Sequence, residues 1–371
     1  MLAFKNLLRR RGRTLLSVLG VSIGIGAIIA FNAIGQGFRE GIDTYLRESG
    51  AQMVVVNRLM KDPAFSRVKA EEQDFIRALP EVEHLSRANL ALASPRGLKE
   101  ASRMTVLVVF GRTFGDRLMA KYTRGLQGGL PTADDQILLG SIAAADLKKG
   151  VGDGLELFGR RFTVTGIFTS GVPWEKVGAV MSNAVLEEVL QHRDGSIYMG
   201  FLYLRPGADP DRVRKAVDAR FSHLEAMKTE EFTAFYDQLE YIDWFVWIIS
   251  LVSVAVGGLG VLNTLLMSVS ERTREIGTLR AVGWSRRRVL RLILGEGVLI
   301  SVIGGAAGLA LGVAGAEVLI RFAPAGTLST RYAATLFLQA SAVALGLGFA
   351  GALFPAWRAS RLSPIEALKY E

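Results

Sequence analysis

Four stretches without a single Asp, Glu, Lys or Arg bound what this chain can fold into. They run 14–38, 244–270, 297–316 and 332–357, and hold 25, 27, 20 and 26 residues. A helix needs roughly 20 apolar residues to cross the hydrocarbon core of a bilayer, so each stretch can span one. A buried core helix is the competing reading, strongest for 297–316. Four together describe a multi-pass membrane protein. Of 371 residues, 50% are apolar and 21% charged, below the roughly 25% charge of soluble domains. So apolar a chain excludes disorder.

The first stretch follows Lys5, Arg9, Arg10, Arg11 and Arg13, as a signal peptide would. Its apolar run is too long for a signal core and no Ala-x-Ala site closes it, so it reads as an uncleaved anchor. Leu2, Phe4, Leu7 and Leu8 alternate with basic residues upstream, which suits a short amphipathic helix on a membrane surface.

Where the charge sits decides what the net +9 means. Basic residues crowd segments 1–13, 271–296 and 358–371, and the positive-inside rule places these three in the cytoplasm. The predicted layout is a cytoplasmic amphipathic helix (1–13), a first span (14–38), a periplasmic domain (39–243) and a second span (244–270). A cytoplasmic loop (271–296), a third span (297–316), a short periplasmic link (317–331), a fourth span (332–357) and a cytoplasmic tail (358–371) follow. Partitioned this way, the charge is +10 in the cytoplasmic pieces, −2 in the large domain and +1 in the link. The excess is an orientation signal and points to membrane lipid, not nucleic acid.

The 39–243 segment reads as folded mixed α/β. Gln52 to Asn57, Met104 to Phe110 and Tyr198 to Leu204 read as strands. Glu71, Glu72, Phe75, Ile76 and Leu79 sit at helical spacing, with Pro80 as the stop. Ser141 to Lys149 reads as a helix closed by Gly150. Leu155 to Phe158 and Phe162 to Phe168 flank Gly159-Arg160, a hairpin signal. Ser182 is expected to cap a helix with Val185, Leu186, Val189 and Leu190 on one face. Asp209-Pro210 opens another helix, as cap and first residue. The length of the segment accommodates two subdomains.

Chemistry is sparse. There is no Cys, which excludes thiol catalysis and disulfides. No GxxxxGK[ST] phosphate loop, GxSxG elbow or HExxH helix occurs. His84, His192 and His223 stand apart, without the spacing of a metal site. The pairs Glu187-Glu188 and Glu230-Glu231 read as solvated helix faces. The expectation is a chain with no catalytic, cofactor or metal residues.

Glycines carry more. Gly20 and Gly24 form one GxxxG, and Gly304, Gly308 and Gly312 continue that spacing in the third span. Such stripes let membrane helices approach closely, either within one chain or between the first spans of a dimer. Glu296, one residue before the third span, is expected at the inner interface beside Arg288 or Arg291. The 270–284 segment mixes both charge signs with Ile276, Leu279, Val282 and Trp284 at helical spacing. That suits docking into a protein groove better than lying on anionic lipid.

Four stretches, in order, resemble the MacB/FtsX/LolC-type permeases of ABC transporters: NLLRRRGRTLLSVLGVSIGIGAIIA (6–30), GVGDGLELFGRRFTVTGIF (150–168), ERTREIGTLRAVGWSRRRVLRLIL (271–294) and PAWRASRLSPIEAL (355–368). The resemblance covers essentially the whole chain. It implies four transmembrane helices with a large mixed α/β periplasmic domain, divided into Porter-like and Sabre-like parts, between the first and second. It also implies a bacterial inner-membrane protein that dimerises with a second copy or a paralogue and engages an ABC ATPase. By carry-over, Glu271, Arg272, Arg274, Glu275, Ile276, Leu279, Arg280 and Trp284 form a coupling helix on that ATPase. ATP and Mg would be bound there, with no cofactor in this chain. Closure of the ATPase pair would move the second span and its extension near Phe232 to Tyr241, driving export or extraction of an amphiphilic, peptide or lipid-linked substrate. A periplasmic adaptor or a lipoprotein is a further implied partner. MacB carries its ATPase ahead of the first span, so a chain with 13 residues there is expected to use one in trans. The alternative is an FtsX-like regulator that activates a periplasmic cell-wall hydrolase.

Overall fold

The computed structural model describes residues 11–58, 66–95, 106–192, 194–235, 238–322 and 328–362. The expected amphipathic helix therefore lies largely outside the described residues, as do Met104 and the end of the C-terminal tail. The chain divides into two units. One comprises 1–36, 243–319 and 330–371; the other comprises 37–242 and 320–329.

Among the described residues, four helices are long and apolar enough to cross a membrane: α1 (Arg11–Ser49), α8 (Gln238–Glu271), α10 (Arg286–Phe322) and α11 (Ala334–Ser360). The first three each contain a whole charge-free stretch and run well past it, and α11 holds all but the first two residues of the fourth. Charges end a hydrocarbon-compatible segment but do not end a helix, because Arg, Glu and Lys are good helix formers. At 1.5 Å per residue, the 39 residues of α1 make it about 58 Å long, nearly twice a bilayer core. Beyond Arg39 its apolar residues Ile42 and Leu46 are buried with Phe38 and Tyr45 packed beside them, a helical stripe with something to cover. Gly50, at φ +70, ends the helix as a left-handed glycine does.

In the first unit, Val21, Ile25 and Ile29 of α1 pack with Val261 and Leu265 of α8, Ile300 of α10, and Leu336, Ala340 and Ala344 of α11. A second apolar cluster joins Val269, Ile276, Val289, Ile293, Ala356 and Ala359.

The second unit is built on a ten-stranded sheet. Its strands are β1 (Met53–Asn57), β2 (Val82–Ala93), β3 (Leu107–Arg112), β4 (Gln127–Gly128), β5 (Gln136–Gly140), β6 (Gly154–Leu157), β7 (Arg160–Phe168), β8 (Gly178–Ser182), β9 (Met199–Leu204) and β10 (Leu224–Lys228). Their order is β10-β1-β9-β2-β3-β8-β5-β7-β4, with β6 paired to β7. Only β3–β8 and β5–β7 are parallel. The helices between them are α2 (Ala70–Arg77), α3 (Ser141–Leu147), α4 (Pro173–Lys176), α5 (Asn183–Val189), α6 (Pro210–Arg220) and α7 (Thr229–Phe235).

Two lobes share this one sheet. Strand β2 pairs β9 from Val82 to Ala88, then β3 from Ala88 to Ala93. On one face, α2 and α6 cover a core around Val55, Ile76, Leu202 and Val213. Beyond β2, α3 and α5 cover a separate core around Val109, Leu139, Val164 and Leu186. On the other face, Val54, Phe201 and Tyr203 pack with α1, while Phe110, Leu138 and Val180 pack under a 3₁₀ turn at Arg117–Thr123. Alternate residues of each strand serve opposite faces, which is the period-two pattern of a sheet covered on both sides.

Local details depart from expectation in three places. Helix α3 is closed by Lys148, the left-handed residue at φ 53 and ψ 46, and not by Gly150. The hairpin turn is Phe158-Gly159, with φ of 52 and 74; two consecutive left-handed residues match the twist of the flanking strands. Ser182 precedes α5 but its side chain makes no cap hydrogen bond. Asp209 caps α6 as expected, accepting from the Asp211 amide at 3.0 Å.

Candidate functional site

The segment after α8 folds into a short helix, α9 (Thr273–Ala281). Arg272 leaves helical geometry at φ −111 and ψ 18, which breaks α8 from α9. At the far end the Trp284 amide donates to the Leu279 carbonyl at 3.0 Å and the Gly283 amide to that of Arg280 at 3.1 Å. With Gly283 at φ +100, this is the paired stop that glycine permits. Ser285 then accepts from the Arg288 amide at 3.3 Å and starts α10.

Side chains pin α9 in place. Arg272 donates from Nη1 to Glu296 Oε1 at 3.0 Å and from Nε to Glu275 Oε2 at 3.0 Å. Both members of the Arg272–Glu296 pair are largely buried. Arg272 is thus a partner of Glu296, in addition to the arginines of α10 considered from sequence: the bend after α8 turns its guanidinium onto α10. Ile276 is buried within the cluster of Val269, Val289 and Ile293, and Trp284 packs against the same cluster. Arg288 lies over the Trp284 ring at 5.3 Å, and Arg280 Nη1 donates to the Trp284 carbonyl at 3.4 Å. Of the residues singled out for partner contact, Ile276 faces inward and Leu279, Arg280 and Trp284 are half-buried. Glu271, Arg274 and Glu275 are exposed. Val282, the remaining apolar residue of the helical spacing, is 78% exposed.

The glycine stripe packs within the chain. A methyl placed on Gly304 would lie 2.8 Å from Val21 Cβ, on Gly308 2.8 Å from the Ser22 carbonyl, and on Gly312 2.8 Å from the Gly26 carbonyl. A methyl on Gly24 would lie 3.1 Å from the Ser253 carbonyl, while one on Gly20 would meet no neighbouring segment within 4 Å. Ser22 Oγ adds a hydrogen bond to the Gly304 carbonyl at 3.0 Å, the kind of polar tie that close helix approach permits.

In the sheet unit the three histidines are separate. His84 pairs with Asp116 at 2.5 Å, His223 with Glu72 at 2.7 Å, and His192 Nδ1 with the Ser196 carbonyl at 3.1 Å. Burial holds His192 below the ordinary imidazole value. Of the acid pair on α5, Glu188 is solvated and binds Arg160, but Glu187 turns inward to Arg87 at 2.8 Å. Burial raises the Glu187 pKa, against the pull of Arg87. Helix α5 packs on β2 and β3, and Glu187 lies on the side towards Arg87 of β2.

A buried ionic cluster lies under the 3₁₀ turn. Lys121 Nζ donates to Glu175 Oε1 at 2.8 Å, with the two side chains 2% and 0% exposed. Tyr122 also donates to Glu175 Oε1 at 2.9 Å, and Ser170 to its Oε2 at 2.6 Å. Arg112 donates from Nη2 to the Tyr45 hydroxyl at 2.8 Å. Burial pushes the Lys121 ammonium below the ordinary lysine value, with Glu175 opposing, and pushes the Tyr122 hydroxyl well above the ordinary tyrosine value. These residues come from three distant parts of the sequence, around 45, 112–122 and 170–175, and no spacing announces them. A carboxylate with this many donors is a structural lock.

Four membrane-length helices with a mixed α/β sheet domain inserted between the first and second, and a short helix locked between the second and third, define a permease-type membrane protein. Two family descriptions match: a MacB-like periplasmic core domain over residues 14–220 and an FtsX-like permease C-terminal domain over 247–364. The chain belongs to the MacB/FtsX-type permease family of ABC transporters. It is 27% identical over its full length to the macrolide export ATP-binding/permease protein MacB of Hyphomonas neptunium, covering 60% of that protein. Against the pyoverdine export ATP-binding/permease protein PvdT of Pseudomonas putida it is 26% identical, with 97% of this chain and 58% of PvdT aligned. The chain thus spans about 60% of the length of these relatives. It is 24% identical to the ABC transporter permease YknZ of Bacillus subtilis, covering 100% of this chain and 98% of YknZ. Among solved structures it is similar to the periplasmic region of MacB from Actinobacillus actinomycetemcomitans, at 12% identity and a TM-score of 0.39, over 51% of this chain and 94% of that one.

Proposed function

We propose that this chain is the permease subunit of an ABC transporter, docking a separate ATPase through α9 and passing ATP-driven motion to the sheet unit. In this reading α9 is cytoplasmic, as the arginines of 271–296 suggest, and the sheet unit is periplasmic. The observation that carries it is the construction of α9. The helix is fixed from behind by Ile276 and the Arg272–Glu296 pair while Glu271, Arg274, Glu275 and Val282 face outward. A rigid surface helix with one exposed apolar anchor among charges of both signs is the form of a force-bearing protein contact. A separate ATPase is supported by the near full-length match to the permease YknZ. Cargo is exported or extracted on the sheet-unit side, as an amphiphilic, peptide or lipid-linked molecule.

The test is purification of the full chain from native membranes. An ATPase with a phosphate-binding loop should co-purify with the unaltered protein and be lost when Arg274→Glu and Val282→Asp are combined. Both positions are exposed, so the fold tolerates the changes. Undiminished association would remove α9 from the contact.

A further inference from the structure

The sheet unit holds an apolar cavity of about 320 Å³ that the permease architecture alone does not call for. Aromatic side chains dominate its wall: Phe38 and Tyr45 of α1, Phe110 of β3, Trp174 of α4, Tyr198 beside β9, and Phe232 of α7. Its volume falls at the lower end of the roughly 300–1,000 Å³ of small-molecule sites. No side chain carrying a formal charge lines it, and two of its polar groups, the Tyr45 hydroxyl and the Asn89 amide, are already engaged. The Tyr45 hydroxyl accepts from Arg112 at 2.8 Å. Asn89 accepts from the Tyr198 amide at 3.0 Å and donates to Asn183 at 3.0 Å. The rest of the wall is chiefly ring faces and methylene surface, which bind apolar groups by burial and stacking.

The wall is built by close approach, not left over by poor packing. Gly41 lets α1 lie against the Trp174 ring, where an added methyl would come within 2.5 Å. Phe38 meets the same ring at 5.4 Å between centroids. At the rim Leu92, on β2, is 66% exposed, an apolar side chain marking an entrance.

We propose that this cavity binds the uncharged apolar body of a small amphiphile. Phe38 and Tyr45 stand on α1, the helix that also contains the first charge-free stretch, so an occupant bears directly on an element the transport cycle must move. The assignment to cargo rests on the permease reading; the binding itself does not.

The experiment uses the full chain in phosphatidylcholine nanodiscs with an uncharged dodecyl amide carrying an aryl diazirine. After irradiation, adducts should map to peptides containing Phe38, Tyr45, Trp174 and Phe232. They should saturate with probe and disappear under excess of the same amide lacking the diazirine. Leu92→Glu should cut them about tenfold, because a charge at the mouth must be desolvated by an apolar occupant. Leu92→Ile should leave them unchanged. Labelling that never saturates, that persists in Leu92→Glu, or that is confined to α8, α10 and α11 overturns the proposal. ATPase co-purification without saturable labelling would leave the permease reading standing and remove the cavity. Saturable labelling without an ATPase partner would do the reverse.

Discussion

Arg272 and Glu296 meet at 3.0 Å across 24 residues of sequence, with the carboxylate side chain 2% exposed and the guanidinium 13%. This pair ties the start of α9 to α10. Changing Arg272 to Met strips a buried carboxylate of this partner, a loss worth about 3 kcal/mol. Thermal unfolding of the full chain in nanodiscs should fall accordingly, with amide exchange in 273–281 rising first. Arg272→Met combined with Glu296→Leu should recover most of the loss, since two apolar groups need no pairing. An Arg272→Met variant as stable as the parent would show that the pair does not hold α9.

The Lys121–Glu175 pair makes stability depend on alkaline pH in a defined direction. Burial lowers the Lys121 pKa, so the unfolded chain binds that proton more tightly. Stability then rises with pH across the interval just below the ordinary lysine value. Tyr122 works oppositely: its raised pKa means the folded state keeps a proton that the unfolded state releases, so stability falls once pH passes the ordinary tyrosine value. In thermal melts of the full chain followed by circular dichroism between about pH 8 and 10.5, Lys121→Met should abolish the rise and keep the fall. Tyr122→Phe should keep the rise and make the fall shallower, because Tyr45 and Tyr203 also keep raised values. A Lys121→Met profile parallel to that of the parent would contradict the assignment.

Much of this architecture was legible because it rests on local signals. A lack of charge over 20 or more residues marks a membrane-length helix whatever surrounds it, and Asp209-Pro210 opens α6 by chemistry confined to one turn. The extension of α1 past Arg39 was legible in principle from Phe38, Ile42 and Tyr45, whose spacing continues one helical stripe. Their partners, Phe201 and Trp174, lie more than 130 residues away in sequence, so nothing local says the stripe is covered. The same holds for Glu187: adjacent acids look alike until α5 is laid on the sheet. On α9 the helical spacing of Ile276, Leu279, Val282 and Trp284 was visible, but not that Ile276 turns inward and Val282 outward. That orientation is set by the bend at Arg272, which depends on Glu296.

The glycines of α10 should differ sharply from Gly20. Methyl groups at Gly304, Gly308 or Gly312 meet α1 atoms at 2.8 Å or less, mostly backbone or Cβ, which cannot swing aside. Gly308→Ala should cost roughly 1–3 kcal/mol by overpacking, read as a lower melting temperature in nanodiscs. Gly20→Ala meets open space and should leave the monomer fold within about 0.5 kcal/mol. The Leu16 and Ile23 side chains on the flanking turns are also outward, at 71% and 67% exposed. A Gly20→Ala protein that melts like the parent but changes its oligomer distribution would place this face in contact with a second copy.

Lys148 and Gly150 give a test of how α3 ends. Lys148 holds φ 53 and ψ 46, a conformation that costs a side-chain-bearing residue about 1–2 kcal/mol. Glycine adopts it freely but loses more entropy on folding, by roughly 0.5–1 kcal/mol. The balance predicts that Lys148→Gly stabilises the sheet unit by about 0.5–1 kcal/mol. Gly150 is not in the left-handed region, and an added methyl there has its nearest neighbour, Asp153, at 3.7 Å. Gly150→Ala should therefore be neutral or stabilise by up to about 1 kcal/mol, by restricting the unfolded chain. If Gly150 were the residue that closes the helix, the same change would cost at least about 1 kcal/mol. The sign of that one measurement, taken as the midpoint of denaturant unfolding, decides between the two ends of the helix.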